Sequence, residues 1–159
     1  KPIDGNGGRS VFVVQKNDTN LGPIVEALSA DGRRHFIAQR FLPEVGLGDK
    51  RIIIVDGEAK GAINRLPSAG EHRANMHVGG KAVASELTDR ERQMCRALEP
   101  ALRRDGLLFV GIDVIGGFLT EVNVTSPTGI QEIRRLCNID IGPMVIAHVE
   151  AAAQSGARK

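Results

Sequence analysis

Tryptophan and tyrosine are absent from the 159 residues, and five Phe supply all of the aromatic area. Single-stranded nucleic acid is held by bases stacked on aromatic side chains, so such a surface is not expected. Long apolar runs are missing too. The longest, residues 52–55 and 107–110, are strand-sized, far short of the roughly 18 residues a membrane-spanning helix needs. Nor is one sign of charge in excess: 21 Lys and Arg face 19 Asp and Glu, a net +2 with both signs interspersed. Without a dense basic field, neither a nucleic-acid nor a membrane partner is expected. Cysteine is scarce, and Cys95 and Cys137 show no CxxC spacing. That fits a reducing, cytoplasmic setting better than a disulfide framework. The chain opens at Lys1-Pro2 with no initiator Met and no signal-peptide pattern, so a piece of a longer polypeptide is expected.

Hydrophobic residues at 42% and charged residues at 25% describe an ordinary globular domain, long enough for one core. Residues 10–14 (Ser-Val-Phe-Val-Val), 35–42, 50–55, 58–65, 107–115 and 118–124 read as strands. Asp56-Gly57 is the signature of a two-residue type I′ hairpin turn. Helices are expected over residues 23–31, with Pro23 in the first turn, and from the capping box Thr88-Asp89-Arg90-Glu91 through Met94, Ala97, Leu98, Ala101 and Leu102. Pro100 is expected to kink the second of these. Two more are expected over residues 129–137 and, after an Asp140 N-cap, 141–153. The fold class is therefore α+β, a mainly antiparallel sheet flanked by helices. Residues 66–81 lose the apolar periodicity and read as a long polar loop, either functional or disordered.

The most specific local cluster is Asp113-Val-Ile-Gly-Gly-Phe-Leu-Thr-Glu121-Val-Asn123. Glu121 and Asn123 are two apart on one strand and share a face. A strict two-residue turn at Gly116-Gly117 sets Asp113 opposite Thr120, whereas a three-residue loop sets it opposite Glu121. Only the second register gathers three oxygen ligands, and a hard cation such as Mg²⁺ with substrate phosphates would relieve the repulsion. The alternative is an exposed polar hairpin face. Lys1, Arg51, Arg65, Arg73 and Lys81 form a scattered basic set, suited to carboxylate or phosphate or simply to solvent. Asp4-Gly5-Asn6-Gly7-Gly8 is an anion-binding nest or a plain turn, with no Gly-Lys-Ser/Thr to make a Walker loop. Ser126-Pro127-Thr128 offers hydroxyls to a ligand or, the plainer reading, caps the helix after it. His35, His72, His77 and His148 show no metal-ligand spacing.

Taken together, Gln39-Arg40-Phe41-Leu42-Pro43, Gly48-Asp49-Lys50-Arg51, Val110-Gly111-Ile112-Asp113 and Glu121-Val122-Asn123-Val124-Thr125-Ser126-Pro127 resemble, in order and spacing, a known family. It is the ATP-binding C-terminal part of prokaryotic-type glutathione synthetase, an ATP-grasp ligase. The resemblance covers nearly the whole chain, residues 1–159, with a mobile loop at about 66–81. It also implies an N-terminal substrate domain and a first part of the ATP-binding lobe that this segment lacks. What it implies about activity is ligation of γ-glutamylcysteine to glycine, driven by ATP through an acyl phosphate, with Mg²⁺, or Mn²⁺ in its place, as cofactor. A homo-oligomer is implied as well. Asp113, Glu121 and Asn123 match the metal ligands. Lys1, Gly7 and Gly8 match the phosphate lysine and the Gly-rich flap, Gln39, Arg40, Phe41 and Leu42 the adenine-reading segment, and Asp49 a ribose partner. Arg51, Arg65, Arg73, Asn75, Gly80 and Ser126 match positions around the peptide substrate and acyl phosphate, with Ala74 standing where the family usually carries Gly. Other ATP-grasp carboxylate–amine ligases, of the D-alanine:D-alanine or glutamate-adding type, share Glu-x-Asn but lack the Val-Thr-Ser-Pro that follows. A non-catalytic nucleotide-binding module is the alternative of a different class.

Overall fold

Asp56 and Gly57 both take positive φ, 50° and 80°, as a type I′ turn demands. They join β1 (Asp49–Val55) to β2 (Glu58–Leu66) in an antiparallel hairpin. The computed structural model describes residues 1–5, 7–68 and 79–156. Beyond β2 come β3 (Lys81–Ser85), α2 (Asp89–Arg104), β4 (Phe109–Ile115), β5 (Phe118–Asn123), α3 (Ile130–Cys137) and α4 (Gly142–Gly156), while α1 (Leu21–Ser29) precedes β1. The five strands form one sheet in the order β3-β2-β1-β4-β5, antiparallel throughout. The expected α+β class stands.

Each face of the sheet has its own core, because side chains alternate along a strand. Ile52 and Ile54 of β1, Ala62 of β2, and Val110, Ile112 and Val114 of β4 pack against Cys95 and Leu102 of α2, with Met94 and Leu98 beside them. The α2 stripe is thus Met94, Cys95, Leu98 and Leu102, and Ala97 is exposed. The capping box forms as expected, with the Thr88 hydroxyl accepting from the Glu91 backbone N–H and the Glu91 carboxylate accepting from the Thr88 backbone N–H. Glu91 also holds the Lys50 ammonium at 2.8 Å, tying the start of α2 to β1. Pro100 lies inside α2, which continues to Arg104. On the opposite face Ile53, Val55 and Ile63 pack against Ile133 in the middle of α3 and Ile141 just ahead of α4. That core covers only one end of the sheet. The other end of the same face carries charged residues.

Two expected strands are absent among the described residues. Residues 10–14 and 35–42 form no ladder, and in this region only Pro2 and Phe36 make an isolated bridge. β-branched composition supplies a surface fit for a sheet, but a strand exists only where a neighbour supplies hydrogen bonds. In the opposite direction, residues 81–85, which the sequence leaves at the loop's end or unassigned, form β3, the edge strand paired with β2. Most of the expected polar loop, residues 69–78, lies outside the described residues.

Candidate active site

The charged end of the sheet is built by register. Arg51 stands opposite Asp113, and Asp113 opposite Glu121, so three strands present one row on one face. The β4–β5 hairpin reaches that pairing by an unexpected route. Ile115 pairs with Phe118 and Val114 with Leu119, the register of a two-residue turn, and then a bulge at Thr120 shifts Asp113 onto Glu121. The Thr120 hydroxyl donates to the Asp113 backbone carbonyl at 3.1 Å, fixing the bulge. Neither of the two expected loop lengths is right alone, but the register that gathers the ligands is the one formed.

A second bulge decides where Arg65 points. Ile53 pairs with Gly61 but Ile54 with Ala59, so Lys60 is the extra residue, and Arg65 comes opposite Asp49. Arg65 and Arg51 therefore share a face. The Arg51 guanidinium donates to both Asp113 oxygens, from Nε at 2.5 Å and Nη2 at 3.0 Å, and from Nη1 to the Thr128 carbonyl at 3.0 Å. Arg65 Nη2 bridges Asp49 at 2.6 Å and Asp113 at 3.0 Å. Two guanidinium and two carboxylate groups thus form a buried quartet. Gly111, two residues before Asp113 on the same face of β4, leaves room for it: a Cβ there would lie 2.7 Å from Pro127 Cβ and 3.2 Å from Arg51 Cδ.

The quartet splits the behaviour of its two carboxyl groups. Burial works to raise the Asp113 carboxyl, but hydrogen bonds and charge from Arg51 and Arg65 hold it below its ordinary value. Burial and the nearby Asp113 charge push Asp49 up to about 7, outweighing Arg65 and Arg51. Its Oδ1 is buried without a hydrogen-bond partner among the described residues, an acceptor that a hydroxyl would satisfy. Arg51 stays charged, because the effect of burial is overcome by its hydrogen bond and charge pairing with Asp113.

Two adjoining cavities open on this end of the sheet. The larger, about 770 Å³, is lined by Lys1, Gly7, Gly8, Arg51, Arg65 and Ser126, together with Glu121 and Asn123. Lys1 Nζ donates to Glu121 Oε1 at 2.8 Å, and Asn123 Nδ2 lies 3.4 Å from Asp113 Oδ2. The smaller, about 360 Å³, has Gln39, Arg40, Phe41 and Leu42 along one wall, Asp49 and Ile115 along another, and Phe12, Leu21 and Ile24 as apolar cover. Among the described residues no backbone hydrogen bond is made by residues 38–41, so their N–H and C=O groups are free to read a planar ligand edge.

Most of the expected set therefore converges. Gly80 lines neither cavity among the described residues, and Lys81 sits on the edge strand away from both. Arg73 and Asn75 lie outside the described residues. The expected capping role of Ser126 is corrected: α3 begins after Gly129 with no side-chain cap, and Ser126, at φ 47°, lines the larger cavity instead. Sequence reasoning missed Thr120, whose bulge sets the register, and the Thr128 carbonyl that receives Arg51. It also missed the apolar cover from α1, which nothing in a short amphipathic helix distinguishes from core packing.

The described residues bring no three His, Cys, Asp or Glu side chains together, so the candidate cation site is two carboxylates completed by an amide. Asp113 and Glu121 pair in register, with Arg51 and Arg65 as counter-ions of the first and Lys1 of the second. Oxygen donors of this kind fit a hard divalent cation.

Residues 1–138 match the model of the prokaryotic glutathione synthetase ATP-grasp domain. The chain is 51% identical over 156 residues to a glutathione synthetase of Synechococcus elongatus, covering 98% of the chain and 48% of that protein. It is 52% identical over 147 residues to one of Thermosynechococcus vestitus, covering 92% and 46%. It is 49% identical over 150 residues to one of Agrobacterium fabrum, covering 94% and 47%. The chain thus spans about half the length of the curated relatives it matches. A solved structure of the ATP-grasp ligase PsnB, complexed with minimal precursor, Mg and ADP, superposes with a TM-score of 0.54 at 20% identity, over 94% of the chain and 45% of that protein. That likeness shows the fold.

Proposed function

Since the chain belongs to the prokaryotic glutathione synthetase family of ATP-grasp domains, we propose that it is the C-terminal, ATP-binding part of an enzyme that joins γ-glutamylcysteine to glycine with release of ADP and phosphate. The observation that carries this reading is the convergence of Lys1, Arg51, Arg65, Glu121 and Asn123 on one cavity beside a second, largely apolar one that Asp49, Asp113 and Glu121 line. The smaller cavity has the dimensions and the free backbone edge suited to adenine, with the unsatisfied Asp49 Oδ1 as acceptor for a ribose hydroxyl. Phosphates would then extend into the larger cavity toward Lys1 and the glycines Gly7 and Gly8.

Asp113, Glu121 and Asn123 would hold Mg²⁺, or Mn²⁺ in its place, which supplies counter-charge to the phosphates as one is transferred. The chain's own residues do the positioning. Lys1 leaves Glu121 for a phosphate oxygen and keeps its charge paired throughout. Arg51 and Arg65 line the larger cavity and would supply positive charge to a carboxylate or acyl phosphate. Phosphoryl transfer makes the dipeptide carboxyl carbon electrophilic toward the glycine amine. Arg73, Asn75 and Gly80 keep their proposed place around the acyl phosphate on the strength of the family pattern. ATP consumption supports the expected cytoplasmic location.

The test uses the natural polypeptide that contains this chain. ADP release should require γ-glutamylcysteine and glycine together. Release with D-alanine as both substrates, and none with the dipeptide and glycine, would instead assign the site to a D-alanine:D-alanine-type ligase.

A further inference from the structure

Phe118 is an oddity of the hairpin tip. It is the first residue of β5, 45% exposed, and too far out to belong to either core. Two cations nevertheless face its ring: the Arg90 guanidinium carbon lies 5.3 Å from the ring centroid and that of Arg40 5.8 Å. The two come from different parts of the molecule. Arg90 belongs to the first turn of α2, and its Nε donates to the Gly117 carbonyl at 2.7 Å, so it is fixed to the hairpin turn. Arg40 belongs to the irregular segment that walls the smaller cavity.

That segment needs an anchor. Residues 38–41 make no backbone hydrogen bond among the described residues, and the nearest ladder-like contact is the Ile37 N–H to the Lys1 carbonyl at 2.8 Å. Further along, Glu44 lies over the same hairpin turn, close enough that a Cβ on Gly116 would sit 2.9 Å from Glu44 Cγ. Arg40 and Glu44 therefore seat the segment on the tip of the β4–β5 hairpin at two neighbouring points. The opposite wall of the smaller cavity is that same hairpin, through Ile115, Thr120 and Glu121. The width of the cavity is thus the distance between the segment and the hairpin.

We propose that Phe118 is a positioning residue for nucleotide binding, its ring docking Arg40 so that the base-reading segment 39–42 is held at a fixed distance from the hairpin that carries Glu121 and Asn123. Cation–π attraction suits the task, because it orients a guanidinium over a ring without consuming the backbone groups a base would need. The proposal rests on the reading of the smaller cavity as the nucleotide site.

Phe118→Leu keeps apolar bulk and removes the ring, while Phe118→Tyr keeps the ring. In the natural polypeptide, ADP affinity measured by calorimetry should fall roughly three- to tenfold in Phe118→Leu, with KM for ATP rising in parallel. The KM for γ-glutamylcysteine should stay within about twofold, a difference of a fraction of 1.4 kcal/mol, and Phe118→Tyr should restore nucleotide affinity. Unchanged ADP affinity in Phe118→Leu, or equal losses for ADP and the dipeptide, would overturn the proposal. A wild-type protein that binds ADP but makes no glutathione would overturn the proposed reaction while the affinity comparison still decides the role of Phe118. A wild-type protein that binds no ADP would overturn both.

Discussion

Arg51 and Asp113 stand directly opposite each other on neighbouring strands, and the guanidinium meets both oxygens of the carboxylate in a fork. Both side chains are more than nine-tenths buried. A buried ion pair adds little net stability over an apolar pair of the same shape, because desolvation cancels most of the attraction. Under the proposed function, the pair has a second use beside the cavity that Arg51 lines. Because Arg65 also reaches Asp113, Arg51 could turn to an anionic ligand without leaving Asp113 unpaired.

The same physics makes removal of one partner costly. Arg51→Met should leave Asp113 with Arg65 as its remaining cation and destabilise the protein by about 3–5 kcal/mol. Urea unfolding of the natural polypeptide measures this, and a loss under about 1 kcal/mol would mean that the pair is more solvated than its burial indicates.

Asp49 gives the protein a pH signature. Its carboxyl is raised from 3.8 to about 7 in the folded state, so between those values the folded protein holds a proton that the unfolded chain has released. Stability from this group therefore falls as pH rises through that window and levels off above it. An asparagine at this position cannot titrate. The Tm of Asp49→Asn relative to wild type should accordingly improve steadily from pH 5 to about pH 7 and level off above it, whatever its offset at pH 5. The depressed Asp113 acts in the opposite direction, but it loses stabilisation only as pH falls below the ordinary carboxylate range, outside the pH 5 to 7 window. A difference in Tm that stays flat across the range would show that Asp49 is ionised throughout.

What could be read from sequence was what local chemistry encodes. The Asp56-Gly57 turn and the Thr88 capping box each specify their geometry within four residues, and both formed as expected. The candidate site was legible as a cluster of residue types, two carboxylates and an amide in one short hairpin, which the structure brings together at one end of the sheet. Register was not legible, because it hangs on bulges. Counting back from the turn without the bulge at Lys60 puts Arg65 on the face opposite Arg51, and nothing in Glu58-Ala59-Lys60-Gly61 announces the extra residue. Residues 10–14 failed for the complementary reason: their composition favours a strand, but no partner strand lies beside them among the described residues. β3 was hidden by its brevity and by two small alanines in five residues.

Gly111→Ala tests how tightly the quartet is packed. The added methyl would meet Pro127 Cβ at 2.7 Å, backbone-linked and unable to swing away, and would press on Arg51 Cδ at 3.2 Å. Overpacking of this kind costs about 1–3 kcal/mol. Because Arg51 is displaced as well, activity should fall further than stability alone explains, with the KM for the dipeptide rising. Thermal melting and steady-state kinetics on the same sample separate the two effects. Wild-type values for both would show that the Pro127 segment moves freely.

Glu121 allows function and stability to be separated most sharply. Its side chain is 44% exposed and its ion pair is with Lys1, so screening leaves that pair worth at most about 1 kcal/mol. Glu121→Gln should therefore leave Tm close to that of the wild type. The charge matters to the proposed reaction in a different way, since a neutral amide cannot balance a cation held between Glu121 and Asp113 as phosphate charge moves. Turnover should fall by about two to four orders of magnitude. ADP affinity measured with and without Mg²⁺ gives a second readout: the gain on adding Mg²⁺ should shrink in the variant, while affinity in chelator should hold or rise, because Lys1 is released from Glu121. Turnover within about threefold of wild type, under about 0.7 kcal/mol in barrier, together with an undiminished Mg²⁺ effect on ADP binding, would place the metal elsewhere.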